Sequence, residues 1–65
     1  MTSSVWVVKS GREYYQFTGA GRVYYTKDIQ KANRFMSEKS AEFVAKRLGG
    51  EVIGCREMGE TLVEM

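Results

Sequence analysis

The chain has 65 residues, of which 43% are hydrophobic and 28% charged, and its formal net charge is +2. These values are typical of a globular protein and argue against a disordered tail or a membrane protein. So short a chain predicts a single domain, residues 1–65, with little room for a catalytic cleft, because it buries only about 60% of the surface that its unfolded form exposes.

Two sequence features bear on the compartment. No apolar run approaches the roughly 20 residues of a bilayer span. Residues 1–10 lack the basic region and the small-residue cleavage site of a signal peptide. We therefore expect a cytoplasmic protein with no membrane partner.

The charges are unevenly distributed along the chain. Residues 1–34 carry six basic and two acidic side chains, whereas residues 35–65 carry four basic and six acidic ones. This asymmetry predicts an electrically two-ended molecule that could steer a polyanion to its amino-terminal half. The excess is modest for a nucleic-acid-binding domain.

The first half of the chain predicts a β-meander. The β-branched and aromatic run Val5-Trp6-Val7-Val8 indicates a strand that ends at a turn, Ser10-Gly11. A second strand is predicted from Glu13 to Thr18 and a third from Arg22 to Thr26. Gly19-Ala20-Gly21 between them predicts a tight turn rather than a phosphate-binding loop, because no helix follows it.

A short helical turn and one helix follow. Asp28 is suited to accept a backbone hydrogen bond at the start of Ile29–Ala32, which predicts one helical turn or a short 3₁₀ segment. Ser37 is a favourable N-cap for a helix from about 38 to 48, and Gly49-Gly50 provides a left-handed stop. The apolar positions of this helix recur with helical spacing: Ala41, Val44, Ala45 and Leu48.

The chain closes with a strand over Glu51–Arg56, and Glu60–Glu64 is compatible with a fifth strand or a frayed tail. The predicted fold class is therefore α+β. It is a small antiparallel β-β-β-α-β sheet with one helix packed on one face and the other face uncovered.

Much of residues 14–53 resembles a known group of proteins. The matching strings are Tyr-Tyr-Thr-Lys-Asp-Ile-x-Lys-Ala-x-Arg-Phe-x-Ser and Ala-Glu-x-x-Ala-x-x-Leu-Gly-Gly-x-Val. They resemble a loose group of very small, largely uncharacterised phage and prophage proteins with a meander, a helix and a final strand. The resemblance implies a protein that binds a host or phage macromolecule, in the host cytoplasm if it is phage-encoded. It supplies no catalytic residue.

The residues that usually carry catalysis or bind metals are scarce. Histidine is absent and Cys55 is the single cysteine, so neither a zinc ligand set nor an internal disulfide is expected. Cys55 is predicted to be a buried structural residue. Glu38 and Glu42 are neighbours on the helix and indicate a solvated face. We expect no catalytic residue, no metal, no cofactor and no enzymatic activity.

The repeat Gly-Arg-x-Tyr-Tyr at residues 11–15 and 21–25 raises a question of register, because neighbouring residues on a strand point to opposite faces. A two-residue loop, Gly19-Ala20, leaves neither face apolar. A three-residue loop, Gly19–Gly21, with a bulge at Gly21 sets Thr18 opposite Arg22 and is favoured by burial. It predicts a core face of Tyr15, Phe17, Val23 and Tyr25. It predicts an outer face of Tyr14, Gln16, Arg22, Tyr24 and Thr26.

The core face is expected to take the helix stripe together with Phe35 and Ile53. The place of Trp6 depends on the first turn. A three-residue turn over Ser10–Arg12 puts Val5 and Val7 inside and Trp6 outside, whereas a two-residue turn does the reverse.

With Trp6 outside, the uncovered face collects the candidate binding residues Trp6, Arg12, Tyr14, Arg22 and Tyr24. Three interpretations remain open: cross-strand packing alone, a protein interface that includes homodimerisation, or a stacking platform for single-stranded nucleic acid. The leading hypothesis is a non-enzymatic phage or prophage accessory protein that binds a host or phage protein, as an inhibitor or modulator. The alternative is a weak single-stranded nucleic-acid-binding module.

Overall fold

A computed structural model of the chain describes residues 2–65, with Thr2 described by its backbone alone. It confirms the α+β class and contains the fifth strand. All strands pair antiparallel in one sheet of order β3-β2-β1-β4-β5. The elements are β1 (Thr2–Ser10), β2 (Glu13–Gly19), β3 (Arg22–Thr26), a 3₁₀ turn (Ile29–Lys31), α1 (Glu38–Leu48), β4 (Glu51–Met58) and β5 (Thr61–Glu64).

Helix α1 has the predicted bounds. Ser37 occupies the N-cap position in an extended conformation, although its side chain makes no cap hydrogen bond. Gly49 closes the helix in the left-handed region, with φ of 68°. A Cβ at Gly50 would lie 2.5 Å from the carbonyl oxygen of Lys9, so only glycine lets the helix end approach β1 this closely.

Strands β1 and β4 form the centre of the molecule, paired from Thr2↔Met58 to Lys9↔Glu51. On its other edge β1 meets β2 only at Lys9 and Ser10. Further along that edge, Trp6 exchanges two backbone hydrogen bonds with Phe35, at 2.9 and 2.8 Å. Because backbone groups alternate in direction along a strand, Val5 and Val7 direct theirs at β4.

Around β1 and β4 the sheet is covered on both faces, so the expected bare face is wrong for this part of the sheet. Helix α1 covers the side of Val8, where Ala41 and Ala45 are buried and the expected Phe35 packs with them. On the opposite side, Val5, Val7 and Cys55 are buried in one cluster with Ala32, from the segment over the sheet, and with Leu62 of β5. Ile53 packs against this cluster rather than against the helix. Local patterns do not reveal this second layer, because it forms where residues 29–32 fold back over the sheet.

Two polar side chains hold residues 29–34 against β4 and β5. The Gln30 amide donates to the Leu62 carbonyl at 2.8 Å and accepts from the Leu62 N–H at 2.7 Å. The Arg34 guanidinium bonds Glu57 at 2.7 Å and the Glu60 carbonyl at 2.8 Å. These contacts fix the second covering layer and also satisfy the outward backbone groups of Leu62.

The first turn has two residues, Gly11-Arg12, closed by the pair Ser10↔Glu13. As this turn predicts, Trp6 lies on the helix side of β1. The expectation that Val5 and Val7 would then be exposed is wrong, because the second layer buries them completely.

Candidate functional site

The hairpin of β2 and β3 turns through Ala20-Gly21, with φ of 52° and 74°. Gly19 pairs with Arg22 and Thr18 with Val23, so the expected three-residue loop with Thr18 opposite Arg22 is wrong. Two left-handed residues form the turn whose twist matches that of paired strands. Ala20 accepts this conformation at some cost, since residues other than glycine rarely adopt it.

A β-bulge at Gln16 changes the faces of the hairpin. Tyr15 pairs with Tyr25, as predicted, but beyond the bulge Phe17 pairs with Tyr24. The extra residue turns Phe17 away from the face of Tyr15 and onto that of Tyr24, so its predicted core position is wrong. The turn was the signal in the sequence that could have indicated the bulge. With Ala20-Gly21 as the loop, Tyr15 can pair with Tyr25 only if β2 contains one extra residue.

Phe17 and Tyr24 form an exposed stacked pair. Their ring centroids lie 4.5 Å apart and their planes differ by 13°. The side chains are 48% and 39% exposed. Offset or parallel rings at this distance attract one another, so each ring holds the other in place. Tyr24 was a predicted site residue, whereas Phe17 was not.

We call residues 16–25 the arm, because neither α1 nor the 3₁₀ turn covers them. Tyr15 still belongs to the body, where its ring stacks on Phe35 at 5.9 Å. Its carbonyl accepts from the Asn33 N–H at 2.9 Å, so beyond this point β2 has left β1. Val23 and Tyr25, expected in the core, are therefore exposed.

Trp6 lies apart from the other predicted site residues. Its half-buried ring packs with the cluster beneath α1, and its Nε1 lies 3.9 Å from the position that a Cβ at Gly54 would occupy. Tyr14 packs against the opposite cluster. The two aromatic side chains are thus on different faces of the sheet.

Tyr14 stands at the base of the arm. Its hydroxyl donates to Glu64 at 3.3 Å, and the Lys9 ammonium lies 5.8 Å from its ring centroid. Partial burial, then the negative charge and the hydrogen bond of Glu64, raise the pKa of the Tyr14 phenol above its usual value. These contacts tie Tyr14 to β1 and β5 and give it a structural role.

The two candidate arginines are at opposite ends of β2. Arg12 is exposed in the first turn, and Arg22 is exposed beside the second. At about 3.3 Å per residue they lie roughly 20 Å apart. Alternation along β3 places Arg22 on the face of Tyr24, so the structure brings together Arg22, Tyr24 and Phe17.

The two edges of the sheet differ. At β5 the Gln30 side chain occupies both backbone groups of Leu62. At β3 no further strand pairs with the outer edge within residues 2–65. An open strand edge offers unpaired N–H and C=O groups to another chain.

The chemistry available elsewhere is limited. An open depression of about 390 Å³ is lined by Lys9, Gly11, Gly49, Gly50 and Glu51. Burial, followed by the charge of Glu64, raises the pKa of the Cys55 thiol, so this thiol is a poor nucleophile. Across residues 2–65 no three His, Cys, Asp or Glu side chains lie close enough to bind a metal ion together.

Comparison with protein families, with curated proteins and with solved structures gives no match for this chain. Among residues 2–65, no helix is both long and apolar enough to cross a membrane. The fold defines a small α+β domain with an exposed aromatic arm.

Proposed function

We propose that the chain is a non-enzymatic binding protein whose arm contacts another protein. In line with the resemblance of its sequence, it is a phage or prophage accessory protein that inhibits or modulates a host or phage protein in the host cytoplasm. The observation that carries the proposal is the exposed, stacked pair Phe17 and Tyr24 beside Arg22.

Aromatic and arginine side chains supply most of the binding energy in protein interfaces. Stacking also reduces the freedom of the Phe17 and Tyr24 rings before any partner arrives, so binding orders them at little further cost in entropy. The arm carries no acidic residue, and Arg22 is its single charge. A partner with an apolar pocket flanked by carboxylates would suit this surface.

The test is affinity capture from a bacterial host lysate with three versions of the protein: wild type, Tyr24→Ala and Phe43→Ala. Phe43 is the matched control, because it is an exposed aromatic residue on α1 with the Arg47 guanidinium 5.3 Å from its ring. We expect Tyr24→Ala to weaken capture of a specific protein about 30-fold, as for a hot spot of about 2 kcal/mol, and Phe43→Ala to leave it unchanged.

Equal losses from Tyr24→Ala and Phe43→Ala would mean that exposed apolar surface is captured without specificity, and would contradict the proposal. Capture that survives Tyr24→Ala would contradict it as well. Unfolding curves of the three proteins, recorded beforehand, ensure that only folded variants are compared.

Single-stranded nucleic acid is a second candidate ligand. Arg22 and Lys27 are the only charged side chains in residues 14–27, and the stacked residues Phe17 and Tyr24 are 48% and 39% exposed. A base stacked on such a ring contributes roughly 1–3 kcal/mol. This candidate requires oligonucleotide binding at about 50 mM salt that weakens steeply as salt rises. A flat anisotropy titration at that salt concentration eliminates it.

A further inference from the structure

We propose that two copies of the protein pair antiparallel through β3, with Tyr24 opposite Tyr24 of the second copy. The pairing rests on the geometry of the arm. A second step, that the two joined arms form one contact surface for the partner, rests on the proposed function.

The backbone of β3 has two residues ready for this pairing. In a hairpin with a two-residue loop the closing residues bond each other, so Arg22 and then Tyr24 direct their backbone groups at β2. Val23 and Tyr25 therefore direct theirs outward. The body supports this assignment, because the Tyr15 carbonyl opposite Tyr25 points away from β3 and accepts from Asn33.

A two-fold axis at Tyr24 pairs every outward backbone N–H and C=O group of Val23 and Tyr25 with a group of the second copy. It sets Val23 opposite Tyr25 of the second copy, and Tyr25 opposite Val23. Both are hydrogen-bonded pairs, which gives four backbone hydrogen bonds, and the central Tyr24 pair is a non-hydrogen-bonded one. Such a closed interface uses the same residues on both copies.

The side chains suit the same register. The Phe17–Tyr24 stack of each copy would meet the other across the axis and form a row of four rings on one face. Val23 beside Tyr25 is a favourable β-branched and aromatic pair on the other face. Arg22 faces Thr26 rather than a like charge, and Asp28 lies two residues further on, within diagonal reach of a long side chain.

A second copy fits β3 better than it fits β5, where the Gln30 side chain already bonds Leu62. A two-stranded hairpin is only marginally stable alone, and pairing would give each arm a third and a fourth strand. The five-residue strand makes a contact smaller than the roughly 800 Å² per partner of a standard interface, so association is expected to be weak and concentration-dependent.

The first test is sedimentation equilibrium of the wild-type protein from about 10 μM to 1 mM, a range that spans weak association. We expect the average mass to rise from that of one chain towards that of two. A mass of one chain throughout this range would overturn the proposal.

The second test is disulfide formation under mild oxidation by Tyr24→Cys and, as its matched control, Val23→Cys. Cys55 is fully buried and is common to both. In this register the two copies of residue 24 have Cα atoms about 4.5 Å apart, which a disulfide can bridge. The two copies of residue 23 are diagonal neighbours, about 7–8 Å apart, which exceeds its reach.

We expect Tyr24→Cys to form covalent dimers at least about 10-fold faster than Val23→Cys. Equal rates, or no dimers, would overturn the register. The two proposals fail separately. A monomeric protein whose capture still depends on Tyr24 overturns the pairing alone, whereas a dimer that captures no specific protein overturns the proposed function alone.

Discussion

The body of the sheet and the arm consist of similar side chains in different surroundings. In β1 and β4, Val5, Val7 and Cys55 are fully buried in one cluster with Ala32, from the segment that covers this face, and with Leu62 of β5. In the arm, residues 16–25, valine and aromatic side chains face solvent. Both regions thus have strand-forming sequences, but only the body is covered by other parts of the chain.

The difference arises where β2 leaves β1. The backbone of Trp6 is hydrogen-bonded to that of Phe35 along the edge of β1 that β2 would otherwise occupy. The Asn33 N–H donates to the Tyr15 carbonyl. Residues 29–35 separate the arm from β1 and also cover the second face of the body. The body is therefore covered by the same segment that keeps β2 away from β1.

The largest expected effect is a difference in stability between alanine substitutions at two neighbouring residues of β5. Leu62 is 3% exposed and Val63 is 46% exposed. Leu62→Ala should lower the free energy of unfolding by about 2–5 kcal/mol, and Val63→Ala by about 0.5 kcal/mol or less. Urea unfolding monitored by circular dichroism measures both. Similar losses would mean that Leu62 does not belong to the core.

The next effect compares the paired residues Tyr15 and Tyr25 at the boundary of the arm. Tyr15→Ala removes the stack on Phe35 and should cost about 2–3 kcal/mol. Tyr25→Ala should cost about 1 kcal/mol or less, the magnitude of an exposed cross-strand pair. Equal costs in urea unfolding would place Tyr25 in the core and contradict the separation of arm and body.

A smaller effect is expected at the covered edge. Gln30→Ala removes both hydrogen bonds to Leu62 and should lower the free energy of unfolding by about 1–2 kcal/mol. It should also speed hydrogen exchange at the Leu62 amide much more than at Val5 or Val7. Unchanged exchange at Leu62 would show that Gln30 does not protect this edge.

The smallest effect concerns pH. Because the pKa of Tyr14 is raised in the folded protein, the folded state retains a proton that the unfolded state has lost above pH 10.0. The stability that the protonated Tyr14 contributes is fully present below that pH and is lost as pH rises through the pKa of Tyr14 in the folded protein. Tyr14→Phe should therefore lose less stability than wild type between about pH 10 and pH 12. Parallel losses would contradict the raised pKa of Tyr14, which burial and then the contact with Glu64 cause.

Features set by local chemistry could be predicted from the sequence. The bounds of α1 and its closure at Gly49 follow from helical spacing and from the left-handed glycine. The pairing of Tyr15 with Tyr25 is also as predicted, but it arises from a two-residue turn and a bulge rather than from the expected three-residue loop. The cover of the second face could not be predicted, because it depends on Gln30 and Arg34 reaching residues more than 20 positions away. The bulge at Gln16 could not be predicted either, and it moves Phe17 from the expected core face to the face of Tyr24 and Arg22.

Hydrogen exchange in dilute solution tests the separation of arm and body most directly. Val5 and Val7 donate to β4 beneath a covering layer, whereas Val23 and Tyr25 direct their amides to solvent. We expect the Val23 and Tyr25 amides to exchange at nearly the rate of an unfolded chain while those of Val5 and Val7 exchange only with global unfolding. Comparable protection of all four amides at high dilution would contradict an open arm.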